Sequence, residues 1–320
     1  EPIGHKPMQG DFPNIKKLVS HIFGEQYDLG MDYLQLLYLR PVQKLPILLL
    51  VSEERNTGKT TFLNFLKALF QDNVTFNTNE DFRSQFNSDW AGKLLIVVDE
   101  VLLSRREDSE RLKNLSTALS YKVEAKGKDR NEISFFAKFV LCSNNESLPV
   151  IIDEGETRYW VRKISSLQSD DTGFLEKLKA EIPAFLFHLQ GRTLSTEHKS
   201  RMWFAPEQIA TDALRRIIRC NRNRLEVEMS ELFLEVMENT QTDSLQFCLN
   251  DAIALLQCNH VKAEKHLVRK IVQDCWKLQP SENALTYTSY EYNYNNSGHY
   301  SPTKRVGRFY TVTSDKLNSI

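Results

Sequence analysis

The sequence predicts an α/β protein with a mostly parallel central sheet, helices before it and a smaller α+β domain after it. Two patterns predict the sheet. Short apolar runs typical of buried strands alternate with amphipathic helical segments, and polar residues directly follow several of these runs, where ligands bind in such sheets. A third pattern predicts the second domain, because the rhythm changes to helices from about Glu176.

The elements of the predicted core follow one another in a regular order. Residues 14–40 carry apolar side chains at helical spacing and end before Pro41 and Pro46. After them we predict strands at 46–51, 74–78, 93–100, 135–145 and 158–164, helices at 60–70, 81–90 and 109–120, and a basic, turn-rich hairpin segment at 121–132. A sheet covered by helices on both faces is expected.

The chain is predicted to have four sections. They are an N-terminal helical segment over 1–45, a core with a phosphate loop over 46–192, a helical linker over 193–224 and a C-terminal domain over 225–320. The order of helices and strands in the last section suits a winged helix, with Asn295–His299 as the wing tip and 307–313 as the second wing strand. A small α+β packing domain fits this order equally well.

Bulk properties exclude few classes of function. The formal net charge of the 320 residues is −1, so any nucleic-acid surface must be local. Five scattered cysteines without a CxxC pair favour a reducing cytoplasm. No apolar run reaches the roughly 18–20 residues of a membrane span, so no membrane association is expected. The chain opens without methionine and reads as mid-protein, and we expect it to be the C-terminal portion of something longer.

The stretch Leu48–Leu66, LLLVSEERNTGKTTFLNFL, contains the second half of a phosphate-binding loop. The pattern G-x-x-x-x-G-K-[ST] requires glycine where this chain has Glu53. In the intact half, Gly58 allows close backbone approach, Lys59 would reach the phosphates and Thr60 would ligate Mg²⁺. The predicted nucleotide-binding residues are Asn56, Thr57, Gly58, Lys59, Thr60 and Thr61. A surface turn with an exposed lysine is the alternative.

Residues 94–100, LLIVVDE, have the pattern of a Walker B strand. Asp99 would bind Mg²⁺, and Glu100 would polarise the water that attacks a nucleotide phosphate. The same pattern is found where a buried strand ends at a solvated acidic turn.

Two further residues follow or precede predicted strands. Asn144, in VLCSNN, would lie between the two Walker strands and contact both the phosphate and the attacking water, although this segment also suits a turn. Arg158, just before a strand, suits an arginine finger that acts at a neighbouring subunit's site. An ion pair of Arg158 with Glu154 or Glu156 is the alternative.

A basic segment, KVEAKGKDR at 122–130, is a candidate DNA contact. Lys126, Lys128 and Arg130 lie around Gly127, and cations on such a tip bind phosphates without reading sequence. A solvated charged loop is the alternative. A second basic stretch, LRRIIRCNRNR at 214–224, could line a DNA path, pair with acids of a neighbouring subunit or simply be solvated.

The motifs occur in the order GKT, VVDE, SNN and TR before a strand, with the basic segment between the second and third. This order resembles that of the superfamily 3 helicases, and more closely that of the helicase part of phage and mobile-element primase–helicase proteins. The resemblance covers about residues 11–166. Two positions depart from the family: Glu53 stands at the leading glycine, and Tyr159 stands at the second of two arginines.

The resemblance implies an AAA+ type ATPase core that uses ATP and Mg²⁺, assembles as a hexameric ring and moves on single-stranded DNA. It also implies a primase domain in the same full-length chain and the cytoplasm of a bacterial or phage-infected cell. Carried over to this sequence, catalytic roles fall on Lys59, Glu100, Asn144 and Arg158, Mg²⁺ binding on Thr60 and Asp99, and DNA binding on a hairpin with Lys126 and Lys128.

Two other functions remain open. The chain could be a nucleotide- or DNA-binding initiator or loader without turnover, in which Glu53 and Glu54 have spoiled the loop, or a P-loop ATPase that acts on protein. Glu100 argues against the first, because a binding-only site needs no water-polarising acid. The basic segment argues against the second. In a working loop, Glu53 and Glu54 must point away from the phosphates, for example towards Arg55.

Overall fold

The computed structural model describes residues 1–81, 90–123, 131–167, 171–293 and 299–318. The chain divides into two compact units, Glu1–Ile218 and Arg219–Ile320. The limit predicted at residue 224 falls inside one helix, Asp212–Thr240, which is continuous over 29 residues. None of the helices in the described ranges is long and apolar enough to span a membrane.

The region predicted to be helical over 14–40 forms two helices, α1 (Pro13–Phe23) and α2 (Tyr27–Leu39). Pro13 stands in the first turn of α1, where its missing N–H costs nothing. Gly24 follows α1 with φ 51°, a conformation that glycine adopts most easily, and so ends the helix. A short 3₁₀ turn joins the two helices.

The first unit is built around a five-stranded parallel sheet. Its further elements are β1 (Ile47–Val51), α3 (Lys59–Phe70), β2 (Val74–Asn77), β3 (Leu95–Val98), α4 (Arg106–Thr117), β4 (Ser120–Val123), β5 (Asn131–Ser134), β6 (Lys138–Ser143), β7 (Tyr159–Lys163), α5 (Phe174–Gly191), α6 (Pro206–Ile209) and the start of α7 (Asp212–Thr240). The strand order is β2-β3-β6-β1-β7. The predicted α/β fold with a mostly parallel sheet is confirmed.

Strand β1 is buried on both faces of the sheet. Leu48 and Leu50 pack in the cluster that includes α1, α2 and α3, whereas Ile47, Leu49 and Val51 pack in the cluster on the opposite face. Side chains alternate between the faces of a strand. A strand covered on both sides therefore needs apolar residues at every position, which explains the continuous apolar runs in the sequence.

Strands β4 and β5 pair in antiparallel fashion from Ser120↔Ser134 to Val123↔Asn131. This confirms the base of the hairpin predicted at 121–132. The tip, with Lys126, Lys128 and Arg130, lies outside the described residues, as does most of the helix predicted at 81–90.

The second unit is an α+β domain, as predicted. After the end of α7 it contains β8 (Ser244–Phe247), α8 (Leu249–Cys258), α9 (Lys265–Lys270), β9 (Leu285–Asn293), β10 (His299–Gly307), β11 (Tyr310–Thr313) and α10 (Ser314–Asn318). Strand β9 pairs with β10, and β11 pairs with β8. The prediction that 307–313 forms the second wing strand is therefore wrong. The actual partner, β10, contains Pro302 and two cations, Lys304 and Arg305, which a two-stranded ribbon tolerates because each strand has a free edge.

Candidate functional site

The carboxyl ends of β1, β3 and β6 bring three predicted motifs to one edge of the sheet. Strand β6 pairs with both β1 and β3, so Asn144 lies between the phosphate loop and Asp99–Glu100, as expected. They surround a cavity of about 400 Å³. Its lining residues are Glu54, Arg55, Asn56, Thr57, Gly58, Lys59, Thr60, Thr61, Asp99, Glu100 and Asn144.

The second half of the phosphate loop leads directly into helix α3. Gly58 precedes the helix with φ 76°, and a Cβ at this position would lie 3.5 Å from Leu167 Cδ1. The positive φ rather than crowding makes glycine the preferred residue here. The loop presents the first turn of α3 to the cavity, and the unpaired N–H groups of a helix N-terminus form a ready site for an anion such as phosphate.

Lys59 is a buried cation of this site and is only 6% exposed, whereas the second cation that lines the cavity, Arg55, is exposed. Its Nζ lies 3.5 Å from the Ser52 carbonyl oxygen. Burial lowers the pKa of Lys59, and the carboxylates of Asp99, Glu146 and Glu100 act in the opposite direction. A buried ammonium beside an open cavity is well placed to bind an anion, whose charge would further favour the protonated lysine.

Thr60 and Asp99, predicted as Mg²⁺ ligands from separate motifs, are in direct contact. The Thr60 hydroxyl donates a hydrogen bond of 2.8 Å to Asp99 Oδ2. Thr60 is exposed to the cavity. A hydroxyl and a carboxylate oxygen side by side at the mouth of a phosphate loop fit the hard oxygen ligands that Mg²⁺ requires.

Glu100 and Asn144 form a second pair on the other side of the cavity. The Asn144 side-chain amide donates to Glu100 Oε1 at 3.2 Å, and both side chains are exposed. Glu100 has φ 63°, a strained conformation for a residue with a side chain. Asn79 holds it there, because its amide donates to the Glu100 carbonyl at 3.1 Å and its oxygen accepts the Leu102 N–H at 3.0 Å.

Both carboxylates at the front of the loop have partners. Glu54 Oε2 accepts the Ser166 N–H at 2.8 Å, and this hydrogen bonding lowers the pKa of Glu54. Glu53 Oε1 lies 3.5 Å from Arg216 Nη2. The suggested partner, Arg55, makes neither of these contacts. Adjacency in sequence does not decide these contacts. The partner of Glu54, Ser166, follows β7, and the partner of Glu53, Arg216, lies in α7.

Two more contacts brace the loop from distant parts of the first unit. His21 Nε2, in the last turn of α1, donates to the Thr57 carbonyl at 3.0 Å. The Leu167 N–H donates to the Asn56 carbonyl at 2.8 Å. Sequence reasoning missed these residues and Asn79. For Asn79 a signal existed, since it is a polar residue just beyond the end of a strand at the ligand edge.

Arg158 lies at the opposite edge of the sheet from the phosphate loop of its own chain. Its carbonyl accepts the N–H of Ile47, the first residue of β1. At a rise of about 3.3 Å per residue, the length of β1 separates the two by roughly 13–16 Å. Arg158 Nη1 forms an ion pair of 2.7 Å with Glu156 Oε2, the alternative weighed from the sequence. The fold therefore does not bring Arg158 to this chain's own cavity.

Comparisons with known proteins give one matching family model and several solved structures with a similar fold. A model described as a family of unknown function (DUF5906) matches residues 50–162, which include the whole cavity. No curated protein matches the sequence.

Solved structures of the C-terminal region of NrS-1 share the fold. One apo structure aligns with a TM-score of 0.61 and 17% identity over 96% of this chain and 78% of that chain. A second, the A form, aligns with a TM-score of 0.59 and 17% identity over 97% of this chain and 77% of that chain. A structure of JCV helicase with a bound compound aligns at a TM-score of only 0.36 and 15% identity, a likeness too loose to show a common fold.

Proposed function

We propose that the chain is an ATP-dependent DNA helicase or translocase that acts in the replication of a phage or mobile element. The observation that best supports ATP hydrolysis is the convergence of the phosphate loop, the Thr60–Asp99 pair and the Glu100–Asn144 pair on one cavity. The order of the motifs along the chain supports a helicase among the many kinds of P-loop ATPase.

In the proposed reaction, Lys59 and the N–H groups at the start of α3 bind the phosphates of ATP. Thr60 and Asp99 would hold Mg²⁺, which would supply positive charge to neutralise the phosphates. Glu100 accepts a proton from water as the water oxygen bonds to the γ-phosphorus. The bond from that phosphorus to the bridging oxygen breaks, and ADP leaves with the electron pair. Asn144, through its contact with Glu100, orients the water.

We further propose that the site is completed between subunits of a hexameric ring. Arg158 would leave Glu156 and neutralise transition-state charge at a neighbour's site, because it lies at the wrong edge to serve its own. Lys126, Lys128 and Arg130 would contact the phosphates of single-stranded DNA in the ring. A primase domain would precede this region in the full-length chain.

ATP hydrolysis with and without single-stranded DNA tests the proposal. We expect hydrolysis that DNA stimulates, and a loss of at least about 100-fold in Lys59→Ala, since Lys59 is the buried cation at the phosphates. Lys67→Ala is the matched control, because Lys67 lies on the same helix and its side-chain amine lies near Asp72 and the Val74 carbonyl, away from the cavity-lining residues. Turnover indifferent to DNA would instead favour an ATPase that acts on protein.

Sizing the protein with and without ATP and single-stranded DNA tests the ring. A mass of several subunits with both ligands is expected, and a strict monomer under every condition would contradict the role of Arg158 between subunits.

A DNA-binding initiator or loader without turnover is a second candidate, and one observation favours it. The second unit has a cavity of about 490 Å³ lined by Lys265, Arg269 and Arg308. Within the described ranges, no acidic side chain pairs with any of these three cations, and each is exposed. Salt-dependent DNA binding by a wild-type protein that hydrolyses no ATP would support this function.

A further inference from the structure

Glu53, the residue at the leading glycine position of the loop, contacts two charged side chains, those of Glu146 and Arg216, and a third, Lys163, pairs with Glu146. Glu146, just beyond β6, accepts the Glu53 N–H through Oε1 at 3.2 Å. Its Oε2 accepts hydrogen bonds from Lys163 Nζ at 2.9 Å and Arg216 Nη1 at 3.0 Å. Arg216 Nη2 lies 3.5 Å from Glu53 Oε1. We call Glu53, Glu146, Lys163 and Arg216 the front cluster.

The front cluster is electrically balanced, with two carboxylates and two cations. Glu146 is only 3% exposed. Burial acts to raise its pKa, but the hydrogen bonds from Lys163 and the Glu53 N–H and the charges of Lys163 and Arg216 together lower it. Glu146 is therefore ionised at neutral pH. A buried carboxylate of this kind persists only where its charge and its lone pairs are satisfied.

We infer that Glu146 and Arg216 are positioning residues of the phosphate loop. Glu146 fixes the backbone at Glu53, and Arg216 neutralises the Glu53 carboxylate, so that an acid can stand at the leading position without repelling a triphosphate. The inference rests on the proposed function, because it assigns roles at the same nucleotide site. Glu53 is thus part of the network of ion pairs in the front cluster, and its charge does not prevent the loop from binding phosphate.

The front cluster leads to an unusual expectation for paired substitutions. Arg216→Ala leaves the Glu53 carboxylate uncompensated and weakens ATP binding by about tenfold, or about 1.4 kcal/mol. Glu53→Gln alone changes binding little. Added to Arg216→Ala, Glu53→Gln restores binding, because the repelling charge is gone. A purely structural contact would lower stability and ATP binding together, and the second substitution would restore both together, whereas repulsion of the triphosphate changes ATP binding without a matching change in thermal unfolding.

Equilibrium binding of ATP labelled with a fluorescent N-methylanthraniloyl group measures this in the full chain. The proteins compared are wild type, Arg216→Ala, Glu53→Gln and the double variant, with thermal unfolding as a check on folding. Arg215→Ala is the matched control, since Arg215 is the adjacent residue of α7 and pairs with Asp212 on the surface. The defect of Arg216→Ala should shrink at high salt, because salt screens the repulsion, and Arg216→Lys should bind nearly as wild type.

Rescue of binding in the double variant, without a matching change in thermal unfolding, supports the inference. Wild-type affinity in Arg216→Ala, or a double variant as weak as Arg216→Ala, overturns the inference and leaves the proposed function standing. A wild-type protein that binds no ATP overturns the proposed function itself, so the two failures are distinguishable.

Discussion

The two edges of the central sheet each contain a buried lysine, in opposite settings. At the carboxyl edge, Lys59 faces the cavity of the phosphate loop, with Asp99 and Glu100 nearby. At the amino edge, Lys138 is 1% exposed, donates a hydrogen bond to the Pro41 carbonyl and has Lys44 as a neighbouring cation.

Burial lowers the pKa of both lysines, but the surroundings differ. Carboxylates oppose the effect at Lys59, whereas the charge of Lys44 adds to it at Lys138, whose pKa falls to about 7. Lys44 itself, half-buried over Phe135, has its pKa lowered to about 8 by burial. A buried lysine thus suits a ligand site only where an opening and nearby acids accompany it. Elsewhere it makes stability depend on pH.

Among the substitutions that test the contrast between the two edges, Glu100→Gln at the carboxyl edge is expected to have the largest effect. Glutamine keeps the size of the side chain and an oxygen for Asn144, but it cannot take a proton from water. Turnover should fall by about 10²- to 10⁴-fold while ATP binding remains. Steady-state hydrolysis and binding of labelled ATP measure the two quantities. Glu107→Gln, in the first turn of α4, is the control. Near-normal turnover in Glu100→Gln would show that Glu100 is not the base that accepts the proton from water.

A smaller effect is expected from Thr60→Ala. Loss of the hydroxyl that contacts Asp99 should raise the Mg²⁺ concentration needed for half-maximal turnover by at least about tenfold. Titration of hydrolysis with Mg²⁺ measures it. Thr61→Ala is the matched control, because Thr61 also lines the cavity, whereas the hydrogen bond that Asp99 receives from this part of the described chain comes from Thr60. Equal Mg²⁺ dependence in the two variants would argue against Thr60 as a ligand.

At the amino edge the expected effect is on stability and not on turnover. Lys138 has a folded-state pKa of about 7, below its unfolded value, so the unfolded chain binds more protons above pH 7. The free energy of unfolding should therefore rise with pH from about 7 to about 10, by at most about 1.4 kcal/mol per pH unit from this group. In Lys138→Met that contribution should disappear.

Chemical denaturation at several pH values measures this dependence, with Lys17→Met at an exposed position of α1 as the control. If Lys138→Met abolished ATP hydrolysis, as Lys59→Ala is expected to do, the contrast between a ligand-binding lysine and a structural lysine would be wrong. An unchanged pH dependence would show that Lys138 is charged in the folded protein over the whole range.

Much of the fold and of the candidate site could be predicted from local signals. The apolar runs at β1, β3 and β6 identified buried parallel strands, because both faces of each strand are covered. The polar residues beyond these strands identified the members of the site, since parallel strands end at one edge. The pairing of Thr60 with Asp99 and the position of Asn144 between the Walker strands followed from this.

Only the tertiary structure decided which distant residues support that site. Glu53 and Glu146 are 93 residues apart, and neither carries a local signal of the contact between them. The same is true of His21 beside Thr57 and of the carbonyl that receives Lys138. Periodicity and motif spacing report how a segment folds and which edge it reaches. The partner of a charged side chain depends on which segments pack together around it. Glu53, which stands where the phosphate-loop pattern requires glycine, therefore pairs with Arg216 of α7.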